Sequence, residues 1–124
     1  MRIPILKQGG YLIAIVQPAT TDTDLEKLRD DLLAMVCAVR ARGVIIDVTS
    51  LDVLDSFASR SLTSLGQMVK LRGADAVVVG IQPDVAFAMV QLGLTLPGIA
   101  TALDLEEGLQ ILKERENRGP AHGI

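Results

Sequence analysis

Apolar residues fall in two rhythms along this chain, short unbroken runs and longer stretches in which they recur every three or four positions. Val44-Ile45-Ile46-Asp47-Val48 belongs to the first kind. It is β-branched, has Gly43 at its mouth, and predicts a buried central strand. Ile3 to Leu6 and Tyr11 to Val16 are similar runs separated by Lys7-Gln8-Gly9-Gly10, which predicts a β-hairpin that ends at Gln17-Pro18-Ala19. Ala76 to Gly80 is a further buried strand, and Leu94 to Thr101 holds a loop and one short final strand.

The second rhythm predicts helices. Leu25, Leu28, Leu32, Met35, Val36 and Val39 form one stripe, with a capping box at Thr23 to Glu26 and Gly43 as the residue after the helix end. Ala58, Leu62, Leu65 and Val69 form a second stripe behind Asp55, with Ser56, Arg60, Thr63 and Gln67 on the opposite, wet face. A third helix starts near Gln82-Pro83 and turns Val85, Ala86, Met89, Val90 and Leu92 inward. The last starts at the Asp104-Leu105-Glu106-Glu107 capping pattern and runs through Leu105, Leu109 and Leu112 to about Glu116.

A leading hairpin followed by strand-helix alternation predicts an α/β domain. Its sheet is mixed and four- to five-stranded, with a parallel section, and about four helices cover it. No linker, repeat or second core interrupts residues 1–116, which form one domain, and residues 117–124 read as a flexible C-terminal tail.

Composition narrows the chemistry. The 124 residues are 49% apolar but only 2% aromatic, so one aliphatic core is expected. A net charge of −3, no basic run and few stacking residues argue against nucleic acid. The single cysteine, Cys37, excludes an internal disulfide, fits a reducing cytoplasm, and reads as a small buried hydrophobe beside the first stripe. No long apolar stretch suggests a signal peptide or membrane span. The sole histidine, His122, lies in the tail, which removes the raw material for a catalytic triad or a histidine-based metal site. No phosphate-binding glycine loop is present either. The expectation is a non-enzyme without cofactor or metal.

Asp47, Asp52 and Asp55 cluster in sequence, but Asp55 has a capping role, Asp52 a loop role, and no lysine or histidine accompanies them. Ser56 is the most suggestive residue. A hydroxyl beside a carboxylate, just past the end of a central strand, lies where open α/β sheets place their sites. As a plain helix-start serine it would only assist the cap, and the residues alone leave both readings open.

The stretch VIIDVTSLDVLDSF resembles the signature of STAS domains, the bacterial anti-sigma-factor antagonist family, in which a strand ending in D-x-x precedes a D-S dipeptide that opens a helix. The element order is similar along nearly the whole chain. IPILK, GIQPDVAFAMVQLGL and TALDLEEGLQILK resemble the RsbS-type stressosome branch of that family. Direct antagonists carry Ser or Thr and then Gly after D-S; Phe57-Ala58 stands here instead and suits the stressosome branch.

The resemblance implies a non-catalytic scaffold and phospho-switch. Ser56 would be phosphorylated by a serine protein kinase of the RsbT type, and Asp55, Ser56, Phe57, Ser59 and Arg60 would form the partner-binding surface. Paralogues of the RsbR type and further copies of the chain would complete a large cytoplasmic assembly that controls a sigma-factor pathway. Ser59 is the rival acceptor. The alternatives are a free-standing anti-sigma-factor antagonist and a small nucleotide-binding or metal-dependent α/β protein.

Overall fold

The computed structural model describes residues 3–118, with side chains as far as residue 116. The elements are β1 (Ile5–Gln8), β2 (Tyr11–Ile15), α1 (Asp22–Val39), β3 (Gly43–Asp47), α2 (Ser56–Leu71), β4 (Asp75–Val79), α3 (Pro83–Gln91), β5 (Ala100–Ala102) and α4 (Leu105–Arg118). The strands lie side by side in sequence order. β1 pairs antiparallel with β2, and every later pair is parallel. The expected mixed sheet is therefore present, with five strands and four helices. Residues 119–124, including His122 and most of the expected tail, lie outside the described residues.

β3 is the middle strand, and its alternation divides the core. Val44 and Ile46 join the large cluster that holds Leu28, Leu32 and Val36 of α1 with Leu62, Leu65 and Val69 of α2. Ile45 points the other way, to Tyr11, Ile13, Val77, Val79 and Leu112 under α4. Burying one such side chain contributes about 1.5–3 kcal/mol relative to exposure. α4 lies very close to the sheet. A Cβ on Gly43 would fall 2.8 Å from Leu112, and one on Gly108 would fall 2.7 Å from Val79.

That approach corrects the expected end of α1. Gly43 is not a helix terminator but the first residue of β3, bare so that Leu112 can pack against it. α1 ends at Val39, and Arg40 takes the left-handed cap conformation itself, at φ 52. The start of α1 also differs. Thr21, not Thr23, is the cap: its hydroxyl accepts from the Asp24 amide at 3.1 Å, and the Asp24 carboxylate accepts from the Thr21 amide at 3.0 Å. The sequence holds two overlapping capping patterns, and this one closes both bonds.

Three further placements differ from expectation. Cys37 is exposed, because the buried stripe of α1 is Leu25, Leu28, Leu32 and Val36, and the next residue round the helix leaves it. On α3 only Val85 and Met89 are buried; Ala86, Phe87, Val90 and Leu92 face outward. Leu94 and Leu96 lie in the expected loop, where exposure is the default, yet both are half-buried against the large cluster.

Candidate functional site

The carboxyl ends of β3 and β4 carry the segment from Asp47 to Ser56. Asp47 ends its strand by bending the chain back on itself: its Oδ1 accepts from the Thr49 amide at 2.9 Å and from the Thr49 hydroxyl at 2.6 Å. Gln82 Nε2 donates to the Thr49 carbonyl at 2.8 Å, tying this turn to the segment after β4. Leu54 is buried and anchors the loop to the core, while Asp52 and Val53 stay exposed. The next residue, Asp55, is extended at φ −80 and ψ −178, and its Oδ1 accepts from the Ala58 amide at 2.8 Å. α2 thus starts at Ser56, which is exposed in its first turn.

Around Ser56 the predicted site residues separate. Asp55, Ser56 and Arg60 are exposed, and Phe57 is half-buried against the large cluster. Ser59 faces inward at 3% exposure, and its Oγ has no hydrogen-bond partner among the described residues. The spacing could have revealed this, since Ser59 stands three residues before Leu62 and so falls on the buried stripe of Leu62, Leu65, Gly66 and Val69. Leaving a buried hydroxyl unsatisfied costs about 1–3 kcal/mol. Thr63, expected on the wet face, is half-buried, and its hydroxyl donates to the Ser59 carbonyl at 2.9 Å.

Two hollows flank the start of α2, and their electrostatics differ. One is lined by apolar side chains such as Val16, Leu25 and Leu54, with the carboxylates of Asp22 and Asp55. The other lies between the first turns of α2 and residues 93–97, and sequence inspection gave no hint of it. Its lining brings together Ser56, Ser59, Arg60, Thr63, Ser64 and Thr95, with no carboxylate. Arg60 makes no ion pair among the described residues.

The acidic cluster does not converge. Asp47 is engaged with Thr49 and Asp55 with Ala58. Among the described residues no group of three or more His, Cys, Asp or Glu side chains is placed to hold a metal ion. No helix among them is long and apolar enough to cross a membrane.

A mixed sheet of this order, with an Asp-capped helix opening on an exposed serine at the central strand's end, is the architecture of a STAS domain. The STAS domain family matches residues 6–107, and the chain belongs to that family. Within that family it is related to proteins of the RsbS and RsbR type. It is 32% identical over 100 residues to the RsbT co-antagonist protein RsbRA of Bacillus subtilis, covering 80% of this chain and 36% of that protein. The chain thus spans about a third of that relative's length. A serine-to-glutamate variant of Moorella thermoacetica RsbS superposes with a TM-score of 0.80 at 35% identity, over 94% of this chain and 99% of the other. A chain from the molecular architecture of the stressosome gives 0.77 at 35% identity, over 91% and 98%. The anti-sigma factor antagonist SpoIIAA in its unphosphorylated form shares the fold, with a TM-score of 0.71 at 12% identity.

Proposed function

We propose that this protein is a non-catalytic, cytoplasmic stressosome scaffold that holds a serine protein kinase of the RsbT type and releases it when Ser56 is phosphorylated. The observation that carries this reading is the placement of Ser56. Its hydroxyl is exposed in the first turn of α2, directly after a cap that fixes the backbone. A kinase can reach it without opening the core.

The kinase transfers the γ-phosphoryl group of ATP: the bond from phosphorus to ADP breaks, a bond to Ser56 Oγ forms, and the hydroxyl proton passes to a base of the kinase. The product carries about −1.5 to −2 added charges on a surface that already holds Asp52 and Asp55, which changes what can dock there. Likeness to RsbS over almost its whole length supports the scaffold role, and likeness to RsbRA, a protein named for co-antagonism of RsbT, supports both the kinase and the RsbR-type paralogues as partners. Self-association fits the apolar face of α3, where Phe87 is 65% and Val90 78% exposed.

The test is incubation with an RsbT-type kinase and ATP, followed by mapping of the phosphate by mass spectrometry. Label on Ser56 is expected, with Ser56→Ala retaining the kinase and Ser56→Asp releasing it. Label confined to another residue, or a kinase that binds both variants equally, would overturn the reading. Sedimentation with an RsbR-type protein should give a very large particle; a clean monomer at tens of micromolar would count against the scaffold.

A further inference from the structure

The groove between α2 and residues 93–97 has a composition the switch has so far not used. Ser56 lines its edge, and Ser59 and Arg60 line it as well. Residues three and four apart on a helix are neighbours on its surface, so Ser59 and Arg60 flank Ser56 within one turn, Ser59 on the inward side of α2 and Arg60 on the exposed side. Among the described residues Arg60 has no carboxylate partner and the buried Ser59 hydroxyl has no hydrogen-bond partner. The facing segment, Gly93 to Pro97, carries no charge. A donor without an acceptor and a cation without an anion thus share one hollow, open beside the one residue argued to gain an anion.

We infer that this groove receives the phosphoryl group carried by Ser56, with the Arg60 guanidinium as its counter-ion and the Ser59 hydroxyl as a donor to its oxygens. The inference rests on the phosphorylation of Ser56 argued above and specifies how the modified surface differs from the free one. A guanidinium suits the role because its forked donors match phosphate oxygens. The opposing charges are Asp52 and Asp55 in the preceding loop, so among the described residues Arg60 is the only cation lining the groove to offset them. The phosphoryl group then occupies the hollow and ties up Arg60 together. Kinase release follows from the loss of a cationic groove, and not from repulsion alone.

The test installs phosphoserine at position 56 during translation, which makes it independent of any kinase. The phosphate is then titrated by phosphorus NMR at low salt. Arg60→Gln should raise the second phosphate pKa by about half a unit, roughly threefold in proton affinity, because the dianion loses its counter-ion. Arg60→Lys should keep part of the difference, and Ser59→Ala should give a smaller rise. Added salt should shrink the Arg60 effect. Superimposable titrations for the parent and Arg60→Gln would overturn the inference, and Arg60 is exposed, so that variant tests binding and not folding. If the kinase ignores Ser56 while the installed phosphate still senses Arg60, the proposed switch fails and the groove assignment stands. Labelling of Ser56 without any effect of Arg60 gives the reverse.

Discussion

The two ends of the parallel strands are built on different principles. At the amino ends, polar side chains join elements far apart in sequence. Tyr11 OH donates to Glu116 at 2.7 Å, Arg42 pairs with the same carboxylate and lies over the Tyr11 ring, and Arg115 reaches Asp75 at 3.4 Å. β2, β3, β4 and α4 are thereby fastened together. At the carboxyl ends the bonds are mostly local: Asp47 to Thr49, Asp55 to Ala58, Asp104 to Glu107. Such bonds shape a turn or start a helix without locking one element to another. Among the side-chain bonds of the described residues there, Gln82 to Thr49 is the exception, and backbone bonds such as Val48 to Val79 extend the sheet pairing. One end therefore holds the fold, and the other can accept a new group or a partner while the fold stays as it is.

The contrast can be broken most severely under α4. Leu112 fills the space above Gly43, so Leu112→Ala should lose about 2–5 kcal/mol of stability in urea unfolding. A loss well under 1 kcal/mol would mean that α4 is not part of the fixed end.

Glu116→Gln comes next, at about 1–2 kcal/mol, because the Tyr11 hydroxyl loses a charged acceptor. Burial first, and then the bond to Glu116, raise the Tyr11 pKa above its ordinary 10.0. A folded pKa raised in this way contributes stability that is complete below pH 10 and lost as pH rises through the folded value. The variant should titrate at lower pH than the parent and keep less of this alkaline dependence. Tyr11 is the only tyrosine and there is no tryptophan, so tyrosinate absorbance reads this group alone. An unchanged titration would remove the clamp from the account.

Asp55→Ala should cost about 1 kcal/mol, the usual loss of a helix cap, and leave the remaining elements in place. A larger loss than that of Glu116→Gln would invert the comparison between the two ends.

A smaller effect is expected in acid. The Thr21 amide, by donating to Asp24, holds that carboxyl at about 2, below its ordinary 3.8. A depressed pKa contributes stability that is present above 3.8 and lost as pH falls through about 2. Asp24→Asn should flatten that acid limb, measured by thermal melts across the window; parallel curves for the two proteins would contradict it.

The smallest change should be Ser56→Asp, within about 0.5 kcal/mol of the parent, since Ser56 is exposed and its modification is argued to act on binding. A clear destabilisation would mean that the carboxyl end is not independent of the fold.

Much of this was legible in the residue pattern, since strands and helices follow from apolar spacing and the Asp55 cap from a short acid before a helical period. What escaped depends on neighbours distant in sequence. Gly43 looks like a helix terminator until Leu112 is known to lie above it. Ser59 looks like a rival acceptor on the partner surface, although its distance from Leu62 already marked it as inward. The apolar residues of α3 suggested a wide buried face, yet only Val85 and Met89 find cover, because periodicity does not say how much of a helix its neighbours reach. The groove beside Ser56 needs residues 93–97 folded over α2, and no local pattern encodes that.

The strands at the two margins of the sheet bear on how many copies can be packed together. β5 is only three residues long, and β1 follows Pro4 and carries the exposed Lys7. A short margin offers few free backbone groups, and a proline or lysine at the other discourages a neighbouring strand from adding to it. Crowded molecules of this protein are thus steered away from joining sheets into a continuous fibre. Contacts between them fall to helix faces and loops, where association can stop at a defined size.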